Sequence, residues 1–182
     1  MQHKVVTEAR EKMKKSLENF QEEIVHIRSG RASTGLVDAI EVDAYGQRMR
    51  LNQLASVSVP EPRLISIQPW DKGMIGAIEK AIMQSPLGVT PKNDGVVIRV
   101  PLPELSEERR KEFVKLIGKL AEESRVAVRN VRRHEIELIK KDKSIPEDES
   151  KRLNDEIQKA TDEFVGRIDA AYKAKEAEIM EV

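Results

Sequence analysis

Apolar residues recur at helical spacing at the two ends of the chain, and the part between them has a different pattern. Within residues 1–30 they stand three or four positions apart, which places them on one helix face: Ala9, Met13, Leu17, Phe20, Ile24 and Ile27. A second stripe of this kind comprises Phe113, Leu116, Ile117, Leu120, Ala127, Val131 and Leu138. A third comprises Leu153, Ile157, Ala160, Phe164, Ile168, Ala171 and Ile179. The pattern predicts three long amphipathic helices.

Residues 31–104 instead contain short β-branched runs, several of which alternate apolar with polar residues as half-buried strands do. The runs read AIEVDA, ASVSVP, LISIQP and GVVIRVP. Tyr45-Gly46 and Asn93-Asp94-Gly95 have the composition of turns, and one helical stretch intervenes at residues 74–82. This segment is predicted to be a small α+β module.

Two serines are candidates for helix N-caps. Ser106 precedes Glu107 and Glu108, whose charges suit the positive end of a helix dipole. Ser144-Ile145-Pro146-Glu147 has proline in the first turn and the Ser-x-x-Glu spacing of a capping box. Helices are therefore expected to begin after each serine.

Each long helix must bury its apolar face, so we expect the three to pack together in a bundle. The predicted fold is α+β with two domains: a three-helix bundle of residues 1–30 and 105–182, and an inserted β-rich domain of residues 31–104. The chain would pass between them twice, at Gly30-Arg31 and at Glu104-Leu105. We predict a hinge at these four residues, with Pro101 and Pro103 stiffening the return strand.

Composition excludes several functional classes. The chain has no cysteine, and its three histidines lie far apart in sequence, so no metal site or cofactor is expected. No apolar run approaches a membrane span, and the first residues do not resemble a signal peptide, so we expect a cytoplasmic protein. There is no phosphate loop or nucleophile–base pair, so we do not expect an enzyme housed in the inserted module.

Charge is unevenly distributed, although 32 basic and 32 acidic residues balance overall. Residues 105–143 carry 12 basic and 8 acidic residues, whereas residues 144–182 carry 6 and 11. The basic excess includes the stretch RVAVRNVRRH, in which Arg125, Arg129 and Arg132 share a face and Arg133 lies at its edge. This face should point away from the apolar stripe. These arginines could pair with the acidic last helix or be solvated, or they could bind nucleic acid. The use of arginine without lysine favours nucleic-acid binding.

Several motifs, in order, resemble those of the bacterial ribosome recycling factor family. They are HIRSGRAS, PLGVTPKNDG, IRVPLPELSEERRKEFVK and SRVAVRNVRRHE, and the resemblance extends over essentially the whole chain. Two departures are small: Ser29 stands where the family often has threonine, and His134 where it commonly has aspartate.

The resemblance implies an L-shaped protein of tRNA-like outline that catalyses no covalent chemistry. It implies binding of the bundle to the large ribosomal subunit after termination, and splitting of the ribosome together with elongation factor G and GTP hydrolysis. Matching motifs assign rRNA contacts to the following residues: Arg28, Arg31, Arg109, Arg110, Arg129, Arg132 and Arg133. We expect a monomer; the alternative is a helical RNA-binding or coiled-coil protein without a recycling role, whose seam would drive self-association.

Overall fold

The computed structural model describes residues 3–181, which contain four α-helices and six β-strands. The helices are α1 (Lys4–Val25), α2 (Ile75–Gln84), α3 (Glu107–Lys141) and α4 (Glu147–Met180). The chain forms two compact units: Met1–Ile24 with Val114–Ala177, and Val25–Phe113 with Glu178–Val182. The predicted α+β fold with a helical and a β-rich part is confirmed.

The first unit is a bundle of α1, α3 and α4. The predicted apolar residues of α1 and α4 that belong to this unit are buried, apart from Ala171, which is half-buried. Ile27, which follows the end of α1 at Val25, and Ile179 are also buried but belong to the second unit. Polar contacts between α1 and α3 fix the position of the two helices along their axes. Lys12 of α1 pairs with the fully buried Glu135 of α3 at 2.6 Å, and Ser124 of α3 donates its hydroxyl to the Ser16 carbonyl at 3.1 Å.

The second unit contains all six strands and α2. Strands β1 (Glu41–Ala44) and β2 (Gln47–Arg50) form a hairpin. Its turn is Tyr45-Gly46, and both residues have positive φ, 53° and 78°, as a two-residue hairpin turn requires. Antiparallel strands β3 (Ala55–Glu61), β4 (Leu64–Pro69), β5 (Lys92–Asn93) and β6 (Ile98–Pro101) form a sheet in the order β3-β4-β6-β5. Its core includes Ile65, Ile67, Ile98 and Val100, with Ile78 and Ile82 of α2.

The apolar seam of α3 differs from the predicted stripe. The buried residues of this helix are Ile117, Ala121, Ser124, Val128, Glu135 and Ile139. Their mean direction is roughly 70° around the helix axis from the predicted stripe, at 100° per residue. Leu116 and Leu138 are consequently exposed, each at 43%. The predicted face of Arg125, Arg129 and Arg132 therefore lies beside the buried seam and not opposite it.

One of the two predicted helix caps is confirmed. The Ser106 hydroxyl accepts a hydrogen bond from the Arg109 backbone N–H at 3.2 Å. The capping box at Ser144 is wrong, because the Ser144 hydroxyl donates to Asp142 Oδ1 at 2.6 Å and α4 begins only at Glu147.

The predicted domain boundaries, after residues 30 and 104, fall inside the second unit. The units themselves divide after Ile24, after Phe113 and after Ala177, so the chain passes between them three times. The predicted boundaries and hinge positions remain predictions. No helix within residues 3–181 is long and apolar enough to cross a membrane.

Candidate nucleic-acid interface

Arg125 is the first residue of the arginine-rich stretch of α3, and its side chain links α3 to α4 within the first unit. Its side chain is 19% exposed; Nε donates to Asp169 of α4 at 2.7 Å and Nη1 to Glu122 at 2.9 Å. Burial lowers the Arg125 pKa, but the hydrogen bonds to Asp169 and Glu122 outweigh this, and the net shift of the pKa is upward. Two carboxylates thus neutralise this arginine within the protein.

The next three arginines of α3 are less constrained. Arg129 lies 3.4 Å from the second oxygen of Glu122 and is 44% exposed. Arg132, partly buried, donates from Nη1 to Gln158 Oε1 of α4 at 3.1 Å. Arg133 is exposed and has no hydrogen-bond or ion-pair partner within residues 3–181. The three guanidinium groups together form the arginine face of the first unit, the name used below for Arg129, Arg132 and Arg133.

Arg28 belongs to the second unit and is buried, with 8% of its surface exposed. Its Nη2 donates to the Pro103 carbonyl, and its Nε has no hydrogen-bond partner among the described residues. Burial, and then the nearby charge of Arg109, lower the Arg28 pKa. This burial leaves little of the guanidinium accessible, and a direct role of Arg28 in binding remains a prediction.

The other three predicted arginines of the second unit differ in exposure. Arg31 pairs with Glu181 at 2.6 Å and is 66% exposed. Arg109 pairs with Glu112 at 2.6 Å, and its guanidinium carbon lies 5.1 Å from the centre of the Phe113 ring. Arg110 is half-buried, and its Nε has no partner in the described part of the chain.

A cavity of about 140 Å³ in the second unit brings the predicted hinge residues together. Its lining includes Gly30, Arg31, Glu104 and Leu105, and also Arg110. Glu104 is held from outside the predicted hinge by Arg63, at 2.7 Å. The structure therefore places all four hinge residues around one small cavity.

These sites suit the binding of phosphate groups. A guanidinium presents its donors in a planar fork that matches a phosphate, and a row of them along a helix can follow a nucleic-acid backbone. Within residues 3–181 no three His, Asp or Glu side chains are grouped as ligands for a metal ion.

Sequence reasoning missed the partners that decide how each arginine is used. Asp169 follows Arg125 by 44 residues and Gln158 follows Arg132 by 26, so helical spacing within α3 could not reveal either contact. The net negative charge of residues 144–182 was the available signal. It correctly indicated pairing between α3 and the acidic last helix, but not which arginine is paired.

Comparison with known proteins gives one consistent result. Residues 20–180 match the family model described as Ribosome recycling factor. A ribosome-recycling factor of Carboxydothermus hydrogenoformans is 52% identical over 181 residues, covering 98% of each chain. A solution structure of a ribosome recycling factor aligns with a TM-score of 0.81 and 47% identity, covering 98% of this chain and 96% of the other.

A second structure is also similar, with a TM-score of 0.68, 42% identity and coverage of 97% of both chains. It contains models for the T. thermophilus ribosome recycling factor and the E. coli elongation factor G bound to the E. coli post-termination complex.

Proposed function

Because this chain belongs to the ribosome recycling factor family, we propose that it binds the large ribosomal subunit after translation termination. Together with elongation factor G and its GTP hydrolysis, it would then split the post-termination complex into subunits for reuse. In this proposal the protein acts as a monomer in the cytoplasm and catalyses no covalent reaction itself. The match over residues 20–180 confirms the family resemblance that the motifs indicated.

The observation that carries the binding proposal is the arginine face of α3. Within residues 3–181, Arg133 has no partner and Arg132 has a single one, the neutral amide of Gln158. Both guanidinium groups therefore keep their positive charge available to an rRNA phosphate. Arg129, which shares Glu122 with Arg125, would be the third contact.

In the second unit we propose further rRNA contacts by Arg31, Arg109 and Arg110. Arg31 and Arg109 each have one carboxylate partner and remain more than half exposed. A phosphate would exchange with that carboxylate, which costs little at an exposed site because such ion pairs contribute only about 0 to 1 kcal/mol. Arg28, whose Nη2 donates to the Pro103 carbonyl, would be a further contact of this unit.

We also propose that the protein bends near Gly30-Arg31 and Glu104-Leu105 when it splits the ribosome. Gly30 has no side chain to restrict its backbone dihedral angles, so it can absorb a change of chain direction. The contacts that surround these residues, Arg31–Glu181 and Arg63–Glu104, are exposed ion pairs that can break at low cost.

The experiment that tests the function is sedimentation of the protein with purified large ribosomal subunits over a salt series. We expect Arg132→Ala to weaken binding about tenfold to more than a hundredfold, because a hydrogen bond between charged groups contributes roughly 1.5 to 3 kcal/mol. The slope of log affinity against log salt should flatten by roughly 0.7 to 0.9 if a phosphate contact is lost.

Arg152→Ala is the matched control, because Arg152 is an exposed arginine of α4 paired with Glu149 and lies outside the arginine face. It removes the same charge and should change affinity little. If the wild-type protein failed to sediment with large subunits, the proposed function would be wrong. If Arg132→Ala and Arg152→Ala had equal effects, the arginine face would not be the contact surface.

A further inference from the structure

Arg132 differs from Arg125 in the chemistry of the group that holds it. Arg125 donates to two carboxylates, Asp169 and Glu122. Arg132 instead donates to the side-chain amide oxygen of Gln158, at 3.1 Å. The amide fixes the position of the guanidinium without adding a negative charge.

The Gln158 amide is itself oriented by a second contact on α4. Its Nε2 donates to Asp162 Oδ1 at 2.9 Å, one helical turn further along. An amide group has one donor side and one acceptor side, so the nitrogen that faces Asp162 leaves the oxygen to face Arg132. The chain of contacts Asp162–Gln158–Arg132 thus places an acceptor where the guanidinium needs it.

We propose that Gln158 is a positioning residue for ribosome binding, which holds Arg132 in the orientation for an rRNA phosphate while leaving its charge unpaired. This inference rests on the proposed function, since it assigns a role to a neighbour of the proposed contact. An unrestrained arginine side chain loses considerable rotamer freedom when it binds, and a prior hydrogen bond reduces that loss.

A carboxylate at position 158 would have the opposite effect. It would form an ion pair with Arg132, and an rRNA phosphate would then have to displace an internal anion. Gln158, being neutral, can orient the Arg132 guanidinium and leave its positive charge available. Asp169, in contrast, neutralises Arg125.

The test compares Gln158→Glu in the wild-type and the Arg132→Ala backgrounds, by sedimentation with large subunits over a salt series. In the wild-type background we expect a loss of affinity of about two- to fivefold, the range for an exposed ion pair that must be broken. The salt dependence should also become flatter. In the Arg132→Ala background the same substitution should change affinity little, because its target is gone.

Gln21→Glu is the matched control, because Gln21 is an exposed glutamine of α1 and the substitution makes the same change of net charge. Circular dichroism melting should give the same transition for Gln158→Glu and Gln21→Glu, since both sites are exposed.

Two results would overturn the inference while leaving the proposed function intact. The first is wild-type affinity in Gln158→Glu. The second is an equal loss in both backgrounds, which would mean that a charge at position 158 repels the RNA directly and does not act through Arg132. Failure of the wild-type protein itself to bind would instead refute the proposed function.

Discussion

Replacing Arg125 by alanine removes two ion pairs and most of a packed aliphatic stem, and it should therefore weaken the bundle before it weakens ribosome binding. The pairs to Glu122 and Asp169 involve partners that are 56% and 44% exposed. At such sites each pair contributes about 0.2 to 1 kcal/mol. The substitution also deletes two methylene groups, worth about 0.8 kcal/mol each when buried.

We accordingly expect Arg125→Ala to lower the free energy of unfolding by about 2 to 3.6 kcal/mol. For a chain of this length that corresponds to a melting temperature lower by roughly 4 to 14 °C. Arg125→Met keeps the stem and loses only the ion pairs, so it should recover about half of the loss. Urea unfolding and circular dichroism melting measure both variants.

Ribosome binding, assayed well below the melting transition, should distinguish Arg125 from Arg132. Arg125→Ala should retain most of its affinity, whereas Arg132→Ala should lose it while melting like the wild-type protein. The reasoning would be refuted if Arg125→Ala melted normally and bound as poorly as Arg132→Ala, since Arg125 would then be a contact residue and not a brace.

Two further predictions concern pH and bending. The hydrogen bond to Glu135 raises the Lys12 pKa, so this pair should stabilise the bundle fully below the ordinary lysine pKa of 10.5 and lose its effect as pH rises through the higher folded value. Urea unfolding should show that the difference in free energy of unfolding between the wild-type protein and Lys12→Met shrinks only above pH 10.5. A difference that already shrank near neutral pH would contradict this prediction. For the hinge, spin labels on cysteines at Gln47 and Lys159, introduced into the naturally cysteine-free chain, should give different distance distributions free and during subunit splitting. Identical distributions would argue against bending.

The helix faces of α1 and α4 could be predicted from sequence because their buried residues are almost all apolar. The face of α3 could not, because its seam contains Ser124 and Glu135, which a pattern of apolar positions counts as surface. Both are buried because α1 supplies partners, the Ser16 carbonyl and Lys12. Spacing within one helix carries no information about partners on another.

The sequence indicates a chemistry for the candidate site but does not show how its arginines divide their roles. A run of arginines without lysine indicated phosphate binding, and the motifs assigned individual residues. The burial of Arg28 against Pro103 and the pairing of Arg125 with Asp169 depend on residues 75 and 44 positions away. Only folding brings such pairs together, so composition treats paired and unpaired arginines alike.

The division of the bundle along the chain has a consequence for how the protein is made. Residues 25–113 separate α1 from the part of α3 that packs in the same unit. At roughly 5 to 20 residues per second, a ribosome needs about 4 to 18 s to synthesise that intervening segment. During this interval the apolar face of α1 has emerged without the helices that cover it, whereas β3 and β4 are adjacent in sequence and can pair as they appear. The nascent chain can therefore form its sheet before α3 and α4 are available to cover the apolar face of α1, and the three-helix bundle assembles last.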